Sequence, residues 1–263
     1  MIETTTAFTP ERIHENFAGW ITSLAALTEY PLSREVGLIW YNAGLPHPMY
    51  SYGCRVANEP VPNYTNCIRS FIDAETPFYF NNGLWHAGKD SGKALISAGA
   101  MSFGHLDGMV FDLSSSMPAI ETPVLNLSVR VVGSPEEYID FAETTALASD
   151  QNEQIGRQFF SHYDNLKNSP LMLLVAYSAH KPVGCSMIYL PAGDTAGNYW
   201  DWVLPEHRKK GIDSAMVGKR LEIAKAAGYK YLIAQCMDSS TRLYSKLKFE
   251  KVCELDFYGR QGY

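Results

Sequence analysis

The chain has 263 residues, 46% hydrophobic and 19% charged, with a formal net charge of −6 at neutral pH. That describes a globular protein with an ample core, one or two domains long at roughly 150 residues each, and its acidic balance argues against a general nucleic-acid binder. No run of about 18 apolar residues is present to span a membrane.

Cys54, Cys67, Cys185, Cys236 and Cys253 are scattered, odd in number and free of Cys-x-x-Cys spacing, which argues against a disulfide framework or a metal site. The start, Met1-Ile2-Glu3-Thr4-Thr5-Thr6, lacks the basic residues and apolar core of a signal peptide. A reduced, cytoplasmic protein is the expectation.

The first predicted element is a helix to about Leu27. Thr9 is its N-cap, Pro10 sits at the first helical position, and Phe8 and Ile13 form a hydrophobic staple. Ile13, Phe17, Trp20, Ile21 and Leu24 share one face at helical spacing. Residues 36–41 and 49–57 read as paired strands around the loop 42–48. Pro60 and Pro62 then break the chain, and a helix is expected over 65–74, followed by an aromatic strand, 78–80. The run 91–101 then 109–113 reads as helix then strand, and 239–249 then 252–257 repeats that pattern faintly, with Leu95 matching Leu243 and Ser97 matching Ser245.

Residues 114–123, polar and carrying Pro118 and Pro123, form the most linker-like stretch. A boundary there divides the chain into 1–115 and 125–263. The second part opens with a strand at 125–132. Ser134-Pro135-Glu136-Glu137 is a capping box with proline at the first helical position, and Tyr138, Phe141, Ala142, Thr145 and Ala146 line one face of its helix. A further helix is expected over 153–165, then a hairpin of 171–177 with 183–190. Tyr199 to Leu204 is strand-like. The basic, Gly-containing loop Arg208-Lys209-Lys210-Gly211-Ile212-Asp213-Ser214 leads from it into a helix over 215–227, with Gly228 as the stop. Helix N-terminal N–H groups are unpaired and partly positive, so a phosphate fits at such a loop. A strand at 231–237 follows, and then the segment Asp238 to Phe249.

These segments resemble the GNAT superfamily of N-acetyltransferases. Val203-Leu204-Pro205-Glu206-His207-Arg208-Lys209-Lys210-Gly211-Ile212-Asp213 matches its acetyl-CoA loop, Arg/Gln-x-x-Gly-x-Gly/Ala after a strand. Asp238 to Phe249 matches its later Asn-x-x-Ala-x-x-Leu-Tyr-x-x-x-Gly-Phe segment. Asp213, Asp238, Thr241 and Lys248 depart from the pattern. The resemblance implies an α/β (α+β) fold, a mixed, mostly antiparallel sheet flanked by helices. With the internal repeat it implies two such domains, the first a degenerate copy. It also implies acetyl-CoA as cosubstrate, no metal, a small-molecule or peptide amine as acceptor, and no membrane or nucleic-acid partner.

For the site, the resemblance implies that Arg208, Lys209, Lys210, Gly211, Ile212, Asp213 and Ser214 cradle the pyrophosphate, together with Asp238. The backbone of Trp202 and Val203 takes the pantetheine arm, and Tyr244 protonates the departing thiolate. Asp201, between Trp200 and Trp202, points to the opposite face from both. It is the general base if that face opens to the acceptor cleft, and otherwise a hydrogen-bonded strand aspartate. Trp40, Tyr41, Tyr50, Tyr52, Tyr64, Phe78, Tyr79, Phe80 and Trp85 line an acceptor cleft or fill the core. In the first half, Asn58 to Asn63 replaces the phosphate loop, and its two prolines lack N–H donors. The first half is therefore expected to bind no coenzyme. A non-catalytic acyl-CoA-binding or protein-interaction module is the alternative function.

Overall fold

A computed structural model describes residues 8–35, 37–56, 64–72, 76–84, 89–120, 122 and 124–261. Asn58 to Asn63, Trp85 and the start of the chain lie outside the described residues. The elements in order are α1 (Glu11–Thr28), β1 (Ser33–Glu35), β2 (Leu38–Asn42), β3 (Ser51–Arg55), α2 (Tyr64–Ile72), β4 (Phe78–Leu84), α3 (Lys89–Ser97) and β5 (Met101–Asp112). Then come β6 (Leu127–Val131), α4 (Pro135–Ala148), α5 (Glu153–Phe159), β7 (Leu171–Ser178), β8 (Lys181–Tyr189), β9 (Thr195–Val203), α6 (Ile212–Ala226), β10 (Tyr231–Cys236), α7 (Asp238–Lys246) and β11 (Glu250–Arg260).

Several bounds differ from those read in the sequence. The paired strand expected over 49–57 is a 3₁₀ turn, Pro48–Tyr50, followed by β3. The helix expected over 153–165 stops at Phe159 and is followed by a separate 3₁₀ segment, Tyr163–Asn168. Thr9 does not cap α1: Pro10 precedes the helix in αR conformation with no side-chain cap, while Phe8 packs against the cluster that holds Ile13 and edge-on against Tyr231. Ser134 does cap α4, accepting from the Glu137 N–H, while the Glu137 carboxylate reaches back to the N–H of Gly133.

All eleven strands form one sheet, in the order β1-β2-β3-β4-β11-β5-β10-β9-β8-β7-β6. It is mixed and mostly antiparallel, with parallel pairs among the described residues at β3–β4 and β9–β10. Read from either end toward the middle, each half supplies an antiparallel run and then its parallel pair. The last strand of each half then sits beside the other half's pair: β11 pairs with β4, and β5 with β10. The helix–strand repeat seen in the sequence is therefore α3–β5 and α7–β11, the two units whose strands change sides and pair with each other.

Helix α1 crosses one face of this sheet and ties the halves together. Trp20 stacks on Tyr199 with centroids 4.5 Å apart. The Asn16 amide donates to the Thr195 carbonyl at 3.0 Å and accepts from the Tyr199 hydroxyl at 2.9 Å. Gly197 makes this approach feasible, since a Cβ there would lie 2.2 Å from Asn16 Oδ1. An aromatic cluster under α1, α4 and α5 includes Trp20, Tyr41, Tyr50, Phe159, Phe160 and Trp200. Helices α6 and α7 cover the opposite face over Met109, Leu174, Ile188 and Leu232. No helix among the described residues is long and apolar enough to cross a membrane.

Candidate functional site

Strands β9 and β10 pair only from Thr195↔Tyr231 to Asn198↔Ala234 and then part. Beyond that point the β10-facing edge of β9 has no strand partner, and the opposite edge stays paired with β8 through Trp202↔Cys185 and Val203↔Gly184. Unpaired backbone N–H and C=O groups are strong donors and acceptors, and an extended ligand satisfies them as a strand would.

A bulge marks the parting point. Register with β8 shifts between Cys185 and Met187, leaving Trp200 and Asp201 opposite one residue, and Trp200 has a φ of 62°. For a bulky residue that conformation is costly and needs external support. Support comes from the aromatic cluster: the Trp200 ring lies parallel to Phe159 at 5.9 Å, and its indole N–H donates to Thr145 Oγ1 at 3.1 Å.

The bulge keeps Asp201 on the face opposite Trp200 and Trp202, under α6 and α7. There Asp201 Oδ1 receives Arg220 Nη2 at 2.5 Å and Oδ2 receives the Tyr244 hydroxyl at 2.9 Å. Asp201 is thus an ion-paired, hydrogen-bonded strand aspartate. Its carboxylate does not face α1 but meets Arg220 of α6 and Tyr244 of α7. Arg220 is fully buried, and its other nitrogens donate to the carbonyls of Met216, Met187 and Tyr199. The sequence reading missed it, because an arginine in a helix ordinarily reads as a solvated residue.

Tyr244 is buried, so its hydroxyl is not at the surface. Burial, then the Asp201 charge, holds its pKa well above the usual phenol value.

The loop into α6 places Lys209 and Gly211 at positive φ, 60° and 79°, and Gly211 stands immediately before the first helical residue. Lys209 and Lys210 are exposed there, and Asp238 is exposed at the start of α7. Arg208 is turned elsewhere. Its Nε donates to the Val203 carbonyl at 3.0 Å and its Nη2 to the Ala148 carbonyl at 2.7 Å, so it fastens the loop to β9 and α4 instead of facing an anion.

Asp213, in the first turn of α6, is half-buried rather than at an open helix end. Burial and the neighbouring Asp201 charge, partly offset by Arg220 and Arg208, push its pKa up to about 6. A carboxyl whose folded pKa is raised gives its full stability below the unfolded value, near 4, and loses it as pH climbs through about 6. Asp213→Asn should therefore be more stable than the wild type by about 1–3 kcal/mol at pH 7. The advantage should vanish near pH 4, as read by urea denaturation across that range.

The aromatic residues of the first half are mostly core. Trp40, Tyr41, Tyr50, Phe78 and Phe80 are buried, and Tyr52 and Tyr79 are partly exposed neighbours. His47 brings one polar side chain from that half to the open end of β9, its ring 6.3 Å from Trp202, with its pKa lowered by burial. Away from this site, His105, Asp107 and Glu254 bring ligand atoms within 4.8 Å of one another, a cluster not seen in the sequence. The Lys251 ammonium bridges its two carboxylates at 2.6 and 2.7 Å.

Residues 137–249 match the sequence model of the acetyltransferase (GNAT) family. A curated Bacillus subtilis (strain 168) protein, the uncharacterized N-acetyltransferase CgeE, is 33% identical over 87 residues, 31% of this chain and 34% of that protein. The aligned part therefore spans about a third of that relative's length. Among solved structures, a GCN5-related N-acetyltransferase from Kribbella flavida superposes with a TM-score of 0.62 at 13% identity, covering 97% of this chain and 96% of the other. A tandem GNAT protein from the clavulanic acid biosynthesis pathway gives 0.54 at 11% identity, covering 95% and 96%.

Proposed function

We propose, from the match of residues 137–249 to the acetyltransferase (GNAT) family model, that the protein is an acetyl-CoA-dependent N-acetyltransferase acting on a primary amine. The observation that carries this reading is the parting of β9 from β10 after Asn198, on the strand that leads into the Lys209–Gly211 turn opening α6. Two chemistries meet there. A strand edge without a strand partner suits the amides of a pantetheine arm, and a helix start with positive-φ residues and lysines suits a diphosphate.

In this reading the backbone of Trp202 and Val203 holds the arm. Lys209, Lys210 and the N–H groups of Gly211, Ile212, Asp213 and Ser214 hold the phosphates, together with Asp238 at the start of α7. Acetyl-CoA supplies an activated acyl group, which the amine attacks directly. Tyr244 supplies the proton for the departing thiolate, turning its hydroxyl from Asp201 Oδ2, to which it donates in the free protein. With Asp201 committed to Arg220, the amine arrives neutral or sheds its proton to water. The rate is then expected to rise with pH toward the amine's own pKa.

A second reading, an acyl-CoA-binding module without turnover, is favoured by that same engagement of Asp201. Transfer assays with a panel of primary amines, following release of coenzyme A thiol, separate the two. Turnover on any acceptor supports the enzyme, whereas binding without turnover supports the module. We further propose that residues 125–263 hold the coenzyme and residues 1–115 hold none. Calorimetric titration with acetyl-CoA should give one site per chain, and two equivalent sites would overturn this assignment.

A further inference from the structure

We propose that Asn198 is an additional ligand-contacting residue of this site, reading the thioester end of the acyl-CoA. The inference rests on the acyl-CoA reading above. Asn198 is the last residue of β9 to pair with β10, and so stands where the gap between the strands begins. It is 4% exposed, and neither its amide nitrogen nor its amide oxygen has a hydrogen-bond partner among the described residues.

Its direction follows from register. Asn198 lies opposite Ile188 and two residues from Ala196, both in the core under α6 and α7, so its side chain is on that face. Ser186, opposite Leu174 on the same face, is fully buried with an unpartnered hydroxyl. Asp201 and Tyr244 meet under the same two helices. Two backbone acceptors at the bulge are taken, since Arg220 donates to the Met187 and Tyr199 carbonyls.

A buried amide with both atoms orphaned costs stability, and such groups call for an explanation. What would satisfy it must offer one acceptor and one donor a few bonds apart. The thioester end of an acyl-CoA does so, since its acyl carbonyl accepts and the first pantetheine amide N–H, beyond the sulfur and two methylenes, donates. Asn198 Nδ2 donates to the former and Oδ1 accepts from the latter. A methyl-ended aliphatic tail offers neither group, so the residue recognises the linkage and not the acyl chain.

The test is calorimetric titration of wild type, Asn198→Leu and Asn198→Ala with acetyl-CoA and with adenosine 3′,5′-bisphosphate, which lacks the arm. Both variants should bind acetyl-CoA about 10-fold more weakly and the bisphosphate unchanged. The leucine variant, freed of an orphaned amide, should also melt at a higher temperature without ligand. Unchanged acetyl-CoA affinity in both variants would overturn the inference, as would parallel loss of both ligands, which would mark a purely structural role. A wild-type protein that binds neither ligand would instead overturn the acyl-CoA reading itself.

Discussion

Arg220→Met should destabilise the protein by about 3–5 kcal/mol, the range for breaking a buried ion pair from one side. The guanidinium is fully buried and makes four contacts, three to backbone carbonyls and one to Asp201 at 2.5 Å. Methionine fills much of the same volume but leaves the Met187 and Tyr199 carbonyls beside the bulge without this donor, and leaves Asp201 without its counter-charge. The Asp201 side chain keeps 29% of its accessibility, so water recovers part of the loss and the lower end of the range is the expectation. Urea denaturation measures it. The double variant Asp201→Asn with Arg220→Met should lose less than the sum of the two single changes, by at least about 1 kcal/mol. Strict additivity would show that Arg220 acts through the carbonyls alone.

Tyr244→Phe should lower turnover by about 10–100-fold, near the lower range for general acid–base catalysis, with little change in acetyl-CoA affinity. The ring keeps its edge-on contact with Phe249 at 4.9 Å, so the fold loses only the hydrogen bond to Asp201, worth about 1 kcal/mol. Because burial and then Asp201 hold the phenol well above its usual pKa, it stays protonated through neutral pH, and the deficit should be the same at pH 6 as at pH 8. Single-turnover measurements isolate the chemical step. An unchanged rate there would remove Tyr244 from the mechanism.

Much of this site was legible because its parts are local. Strand, Gly-containing loop and helix follow one another in sequence from Tyr199 to Ala227, and strand alternation placed Asp201 opposite Trp200 and Trp202. The direction survived the bulge. What alternation cannot tell is what covers a face, and so it left Asp201 open between free base and paired aspartate. Arg220, which pairs with Asp201, sits in a helix of weak amphipathic pattern where its burial leaves no mark. Asn198 was equally hidden, since its interest lies in where β9 leaves β10. Strand β5 was read as 109–113 although it begins at Met101, because Ser102, Gly104 and His105 dilute the apolar signal of its first half. Pairing between β4 and β11, or β5 and β10, joins residues too far apart in sequence for any local pattern to carry.

The interchange of β5 and β11 sets the order in which the protein can be finished during synthesis. When β5 leaves the ribosome, both strands that will flank it, β10 and β11, are still untranslated. The first half waits on the order of ten seconds for them at ordinary elongation rates, with the edge of β4 and both edges of β5 open. Exposed edges of that kind recruit other chains, so nascent or truncated forms should depend on chaperones far more than the finished protein does. Loss of β11 alone would reopen β4 at one side of its place and β5 at the other, and neither half could close without it.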